Sequence, residues 1–112
     1  MLERNAGRRY MKLVRALTKN PKVVRPVGRR GFGSSGLYAG GKLFAFLSFK
    51  DRLIVKLPTA RVRELVAQGE GGRWNPRGHG RALREWFVLK PSSGLEWLGL
   101  AREAMEFVVS TR

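Results

Sequence analysis

Two groups of basic residues are the strongest indication in this sequence of chemistry directed at another molecule. One group precedes a predicted sheet, and the other occupies a glycine-rich loop around Trp74 and His79. A guanidinium group can hold a phosphate with two parallel hydrogen bonds, and an aromatic ring offers a face for stacking. If the two loops lie on one side of the fold, they form a single anion-binding surface. The residues predicted to form it are Lys22, Arg25, Arg29, Arg30, Arg73, Arg77, Arg81 and Arg84.

The overall charge favours a polyanionic partner. The 112 residues include 23 Lys and Arg against 8 Asp and Glu, which gives a formal net charge of +15 at pH 7. Such a field attracts polyanions and speeds their association. DNA or RNA, bound through its phosphates, is therefore a predicted partner. The alternative is that the arginines are solvated surface residues, that their number reflects a GC-rich genome, and that Trp74 belongs to the core.

The patterns that could indicate cofactor or metal chemistry fail on their context. Residues 31–36 match GxGxxG, but a dinucleotide site needs a hydrophobic strand before this pattern and a helix after it. Here Arg29 and Arg30 precede the pattern and a predicted strand follows it. His79 is the only histidine and there is no cysteine, so the ligand set of a zinc site is missing. We predict no cofactor and no metal.

No group of residues has the arrangement of an active site. No serine lies in a GxSxG elbow, and the glutamates fall mainly at predicted helix surfaces or in loops. The sequence therefore predicts a protein without catalytic residues, which is not an enzyme. An enzyme acting on a small anion remains an alternative, and it would need Arg73, Arg77 or His79 to meet a carboxylate in a pocket.

The first element that positions basic residues is a predicted helix over residues 7–20. Its apolar residues recur at i, i+3, i+4 and i+7, which places them on one face; they are Tyr10, Leu13, Val14 and Leu17. The opposite face carries Arg8, Lys12, Arg15 and Lys19. Pro21 ends the helix, because the residue before a proline disfavours the helical conformation.

Strands and two further helices follow. Residues 23–27 are predicted to be extended, and Gly40-Gly41 is suited to a tight hairpin turn between residues 37–38 and a central strand over 42–49. Further strands are predicted over 52–57 and 84–90, and a helix begins at Pro58 and stops at Gly69. The spacing of Ser93 and Glu96 predicts a capping box at the start of a last helix, which ends near Val109.

Several short motifs, in order, resemble the TfoX/Sxy N-terminal domain family. They lie in residues 30–45, 55–58, 69–76, 78–80 and 85–86, and the similarity extends over about residues 8–109. The usual Met-Phe-Gly of that family is Gly31-Phe32-Gly33 here. The resemblance implies an α-β(3)-α-β(2)-α fold, close to the order predicted above, and a role related to transcription or competence regulation. It brings no catalytic residues with it.

Together these observations predict one α+β domain with an antiparallel sheet and helices packed on it in two layers. Residues 1–6 are predicted to be a flexible lead-in, and residues 7–112 the domain. We expect a cytoplasmic protein with no membrane-spanning segment, because no apolar run approaches the roughly 20 residues that such a helix needs. The alternative to nucleic-acid binding is a protein-interaction module that forms a homodimer through the sheet or the last helix.

Overall fold

The computed structural model describes residues 2–25, 36–48, 50–76, 78 and 82–110. Within these residues the chain forms three helices and one six-stranded antiparallel sheet, which confirms the predicted α+β class. The helices are α1 (Leu2–Leu17), α2 (Thr59–Ala67) and α3 (Trp97–Ser110). The strands are β1 (Val23–Val24), β2 (Leu37–Ala39), β3 (Lys42–Leu47), β4 (Leu53–Lys56), β5 (Gly71–Arg73) and β6 (Trp86–Leu89).

The order of strands across the sheet is β1-β2-β3-β4-β6-β5, so β1 and β5 form its two edges. Four strands rather than three lie between α1 and α2, because the two-residue β1 also pairs with β2. The predicted β2–β3 hairpin is confirmed. Gly40 and Gly41 have φ angles of 60° and 77°, a left-handed conformation that glycine adopts without steric cost.

The core lies between the helices and one face of the sheet, which we call the inner face. Cross-strand partners share a face, and the row Leu37, Ala45, Val55 and Phe87 is fully buried on this one. Helix α3 packs on β2, β3 and β4, α1 packs on α3, and α2 packs on β5. Successive residues of a strand point to opposite faces, so Ile54 and Trp86, the neighbours of Val55 and Phe87, lie on the other face, which we call the outer face.

The regular alternation of side chains between the two faces of the sheet is interrupted in β3 by a β-bulge. Leu37 pairs with Ala45 while the next residue, Tyr38, pairs with Leu43, so Phe44 is an extra residue on β3. Phe44 and its neighbour Ala45 therefore both join the core. In a regular strand two such neighbours lie on opposite faces.

Helix α1 begins five residues earlier than predicted. It starts at Leu2 and thus includes residues 2–6, for which the sequence predicts a flexible lead-in. The apolar face extends back by one turn to Ala6, which is buried, and no proline or glycine interrupts residues 2–6. None of the helices in the part of the chain described here is both long and apolar enough to cross a membrane.

The predicted capping box is wrong. Helix α3 begins only at Trp97, and the backbone oxygen of Glu96 accepts the first helical hydrogen bond, from Leu100 at 3.1 Å. The Ser93 hydroxyl instead donates to Glu70 Oε1 at 2.6 Å and accepts from the Leu95 amide at 3.1 Å. The Ser93 hydroxyl therefore forms a tertiary hydrogen bond with Glu70, at the end of the α2–β5 turn, and does not cap α3.

Candidate nucleic-acid interface

The described members of the two predicted basic groups do not form one surface. Lys22 and Arg25 flank β1 and are exposed, whereas Arg73 is the last residue of β5 at the other edge of the sheet. Five strand spacings of about 4.8 Å separate these edges by about 24 Å. The sheet thus keeps the first group apart from Arg73.

Half of the predicted site falls on residues that the structure does not describe. Arg29, Arg30, Arg77 and Arg81 lie outside the described residues, and so does His79. The GxGxxG pattern at residues 31–36 also lies there, except for Gly36, which is buried just before β2.

Helix α1 carries a row of cations that the predicted site did not include. Its outer side presents Arg8, Lys12, Arg15 and Lys19 (the last just beyond the helix end), which we call the basic stripe. All four are exposed, and their i, i+4, i+7, i+11 spacing puts them in one row about 16 Å long. The spacing is visible in the sequence, but a charged outer helix face is usually only solvated, so the spacing alone does not indicate a site.

The two described residues of the first predicted group lie near α1, but only Lys22 is close to the end of this stripe. Lys22 is in the turn after α1, where its amide donates to Asn20 Oδ1 at 2.9 Å. Burial raises the pKa of Tyr10 above its ordinary value, and the positive charge of Arg25 acts on it in the opposite direction. That interaction places Arg25 near the buried face of α1. The structure thus places Lys22 beyond the end of the stripe and Arg25 near the opposite side of α1, both at the edge of the sheet away from Arg73.

Negative charge in the described residues is concentrated away from the stripe. Arg61 on α2 donates a hydrogen bond to Glu103 on α3 at 2.9 Å and also pairs with Glu64. These hydrogen bonds raise the pKa of Arg61, and the bond to Glu103 has the larger effect. Lys56 Nζ lies 3.9 Å from Glu85. Among the side chains that the structure describes, no carboxylate lies within ion-pairing distance of the basic stripe. Its positive potential is therefore not neutralised locally.

The outer face of the sheet carries an aromatic cluster near β6. Trp74 follows β5 on this face, and its ring centroid lies 5.1 Å from that of Phe46 and 5.7 Å from that of Trp86. The amide of Trp74 donates to the Trp86 oxygen at 2.9 Å, and the Leu83 amide donates to the Trp74 oxygen at 2.8 Å. Trp74 is thus a packed, half-buried member of the outer face rather than of the main core.

A depression of about 390 Å³ lies beside this cluster. Its lining residues come from the end of β4, the start of α2 and the approach to β6; they are Lys56, Thr59, Leu83, Arg84, Glu85 and Trp86. Lys56 Nζ lies 5.8 Å from the centroid of the Trp86 ring. Arg84 is the one predicted site residue in this lining. Sequence reasoning missed Lys56, because only the pairing of β4 with β6 places it opposite Trp86.

The described residues show no arrangement with the features of a catalytic or metal centre. In that part of the chain no three His, Cys, Asp or Glu residues lie close enough together to hold a metal ion. Arg73 is exposed on an edge strand and forms no ion pair with a described carboxylate. Comparison of the chain with known protein families, with curated proteins and with solved structures finds no match.

Proposed function

We propose that this protein binds nucleic acid through contacts between the basic stripe and phosphate groups. The observation that carries the proposal is the row of four exposed cations on one side of α1, with Lys22 beyond its end. Residues 8–22 contain six Lys or Arg and no Asp or Glu. An uncompensated row of this kind gains affinity by releasing the counterions condensed on a nucleic acid.

The geometry suits contact with a phosphate backbone rather than readout of bases. A stripe of about 16 Å spans roughly five base pairs of a duplex at 3.4 Å per pair. Lys and Arg side chains on phosphates fix position and orientation but carry no direct sequence information. The proposed activity is therefore binding with little sequence preference and a steep dependence on salt.

A binding role is favoured over catalysis because three of the described glutamates lie in ion pairs with basic side chains. Glu103 and Glu64 are paired with Arg61, and Glu85 lies near Lys56. These are surface pairs that contribute little more than local order. Within the proposal, the resemblance to TfoX/Sxy N-terminal domains suggests that nucleic-acid binding serves regulation.

The competing proposal, a homodimeric interaction module, has less support. The large apolar side chains that are exposed in the described residues lie on three separate segments: Val24 on β1, Leu83 before β6 and Val109 at the end of α3. A stable dimer interface needs a contiguous patch of several hundred Å² on each partner. Light scattering tests this alternative directly, since a dimer would have twice the monomer mass.

The experiment that tests nucleic-acid binding is an anisotropy titration. A labelled 20-base-pair duplex and a labelled single strand of the same length are titrated with the protein at salt concentrations from 50 to 200 mM. We expect binding at 50 mM that weakens by at least tenfold at 200 mM. The absence of binding to both probes at 50 mM would overturn the proposal.

A further inference from the structure

The depression on the outer face combines three chemistries within one small volume. Trp86 contributes an aromatic ring, Arg84 and Lys56 contribute cations, and Glu85 contributes a carboxylate. Arg84 is exposed, and Trp86 is half-buried where it packs against Phe46, with ring centroids 5.7 Å apart. The volume of about 390 Å³ falls within the range of ordinary small-molecule sites.

We infer that this depression holds an unpaired nucleotide of a single-stranded nucleic acid, an inference that rests on the proposed nucleic-acid binding. A base stacks on a flat π-face, and Trp86 is the aromatic residue of this lining; the flexible Lys56 side chain places its Nζ over that ring, 5.8 Å from the centroid. The linked phosphate needs a cation, and Arg84 supplies it at the rim. The ligand that fits this lining therefore carries an aromatic ring and a negative charge close to each other, as the base and phosphate of a nucleotide do.

Glu85 makes two simpler occupants less favourable. A free phosphate or sulfate could contact Arg84 at the rim, but inside the depression it would be repelled by this carboxylate, which lies 3.9 Å from Lys56 Nζ and offsets its charge. A purely apolar ligand would desolvate the Lys56–Glu85 pair without forming a polar contact to it. A base with an exocyclic amino group can donate a hydrogen bond to a carboxylate, as cytosine does to Glu or Asp. Glu85 therefore favours a nucleotide over either of these ligands.

The requirement for a single strand follows from access to the base. In a duplex the bases are stacked on one another and present only their edges, so no π-face can reach Trp86. In single strands the bases can be splayed out and stacked on aromatic side chains. The depression lies on the outer face of the sheet, whereas α1 packs on α3 over the inner face. The two surfaces can therefore be tested independently.

The test compares single strands with a duplex in three variants. Labelled 12-nucleotide single strands of DNA and of RNA, and the matching DNA duplex, are titrated with Trp86→Leu, Trp86→Phe and Arg84→Gln proteins at 50 mM salt. Lys90→Gln is the matched control, because Lys90 is an exposed cation beyond the other end of β6. Comparing the DNA and RNA strands shows which sugar the site prefers.

The expected result is a loss confined to the single strands. Trp86→Leu should weaken their binding by about 5- to 150-fold, and Trp86→Phe by less than about threefold, because phenylalanine keeps a stacking face. Arg84→Gln should lower the single-strand salt slope by about 0.7, and Lys90→Gln should not change it. Duplex binding should stay the same in the Trp86 variants.

Two results would overturn the inference while leaving the proposed function intact: single-strand binding that is unchanged in the Trp86→Leu and Arg84→Gln proteins, or equal losses for single strand and duplex. If Trp86→Leu does not fold, as judged by circular dichroism, the inference is tested by comparing Arg84→Gln with Lys90→Gln. Equal single-strand salt slopes in these two proteins would overturn it. If the unmodified protein binds neither form of nucleic acid, the proposed function fails first and the inference fails with it.

Discussion

Neutralising half of the basic stripe should change the salt dependence of nucleic-acid binding by a calculable amount. The variant is Arg8→Gln/Lys12→Gln. Both residues are exposed on α1 and precede its last turn, where a cation would interact favourably with the helix dipole. Glutamine has nearly the helix propensity of arginine and lysine, so the helix should persist.

The magnitude follows from counterion release. Each phosphate contact on a duplex contributes about −0.9 to the slope of log K against log salt concentration. If each of the four stripe residues holds one phosphate, the slope is about −3.6, and affinity falls about 150-fold between 50 and 200 mM salt. With two contacts removed the slope is about −1.8, and the same change in salt weakens binding only about 12-fold.

The assay is anisotropy with a labelled 20-base-pair duplex at five salt concentrations. The control variant is Arg52→Gln/Lys90→Gln, which removes the same charge from two exposed residues outside α1, one just before β4 and one just after β6. We expect its slope to match that of the unmodified protein. Equal reductions in both double variants would show that total charge rather than the stripe determines binding, and would refute the reasoning.

Three further predictions concern the fold that holds these surfaces. Gly71→Ala should lower the free energy of unfolding by about 1–3 kcal/mol, because its Cβ would overlap the backbone oxygen of Val88, whereas Gly72→Ala meets open space and should change it by less than about 1 kcal/mol. Phe44→Ala should cost about 3–5 kcal/mol in urea denaturation, because this ring is fully buried at the bulge. Burial raises the pKa of Tyr10, so the folded state keeps a proton that the unfolded state loses above about pH 10. Stability should therefore fall as pH rises above 10, and less steeply in Tyr10→Phe.

Each of these predictions has a result that contradicts it. Equal stabilities of the two glycine variants would mean that β5 does not approach β6 as closely as the structure shows. A loss below about 1 kcal/mol for Phe44→Ala would mean that the bulge does not direct this ring into the core. Identical stability profiles for Tyr10→Phe and the unmodified protein between pH 9 and 11 would show that Tyr10 ionises equally in both states.

Local patterns predicted the elements well where neighbours along the chain determine the geometry. The Gly40-Gly41 turn, the apolar face of α1 and the α2 stop near Gly69, whose φ angle is 76°, all follow from residues a few positions apart. Local patterns failed at Ser93, because its hydroxyl bonds a glutamate 23 positions away instead of capping the adjacent helix.

The candidate surfaces also differ in whether local sequence or tertiary structure determines them. The charge of +15 and the cation spacing of the basic stripe follow from the sequence alone, because helical periodicity depends only on local geometry. Tertiary structure decided that Arg25 and Arg73 lie at opposite edges of the sheet, and that Lys56 faces Trp86. Strand order and register between distant segments are set by how side chains pack in the whole core, and no local pattern carries that information.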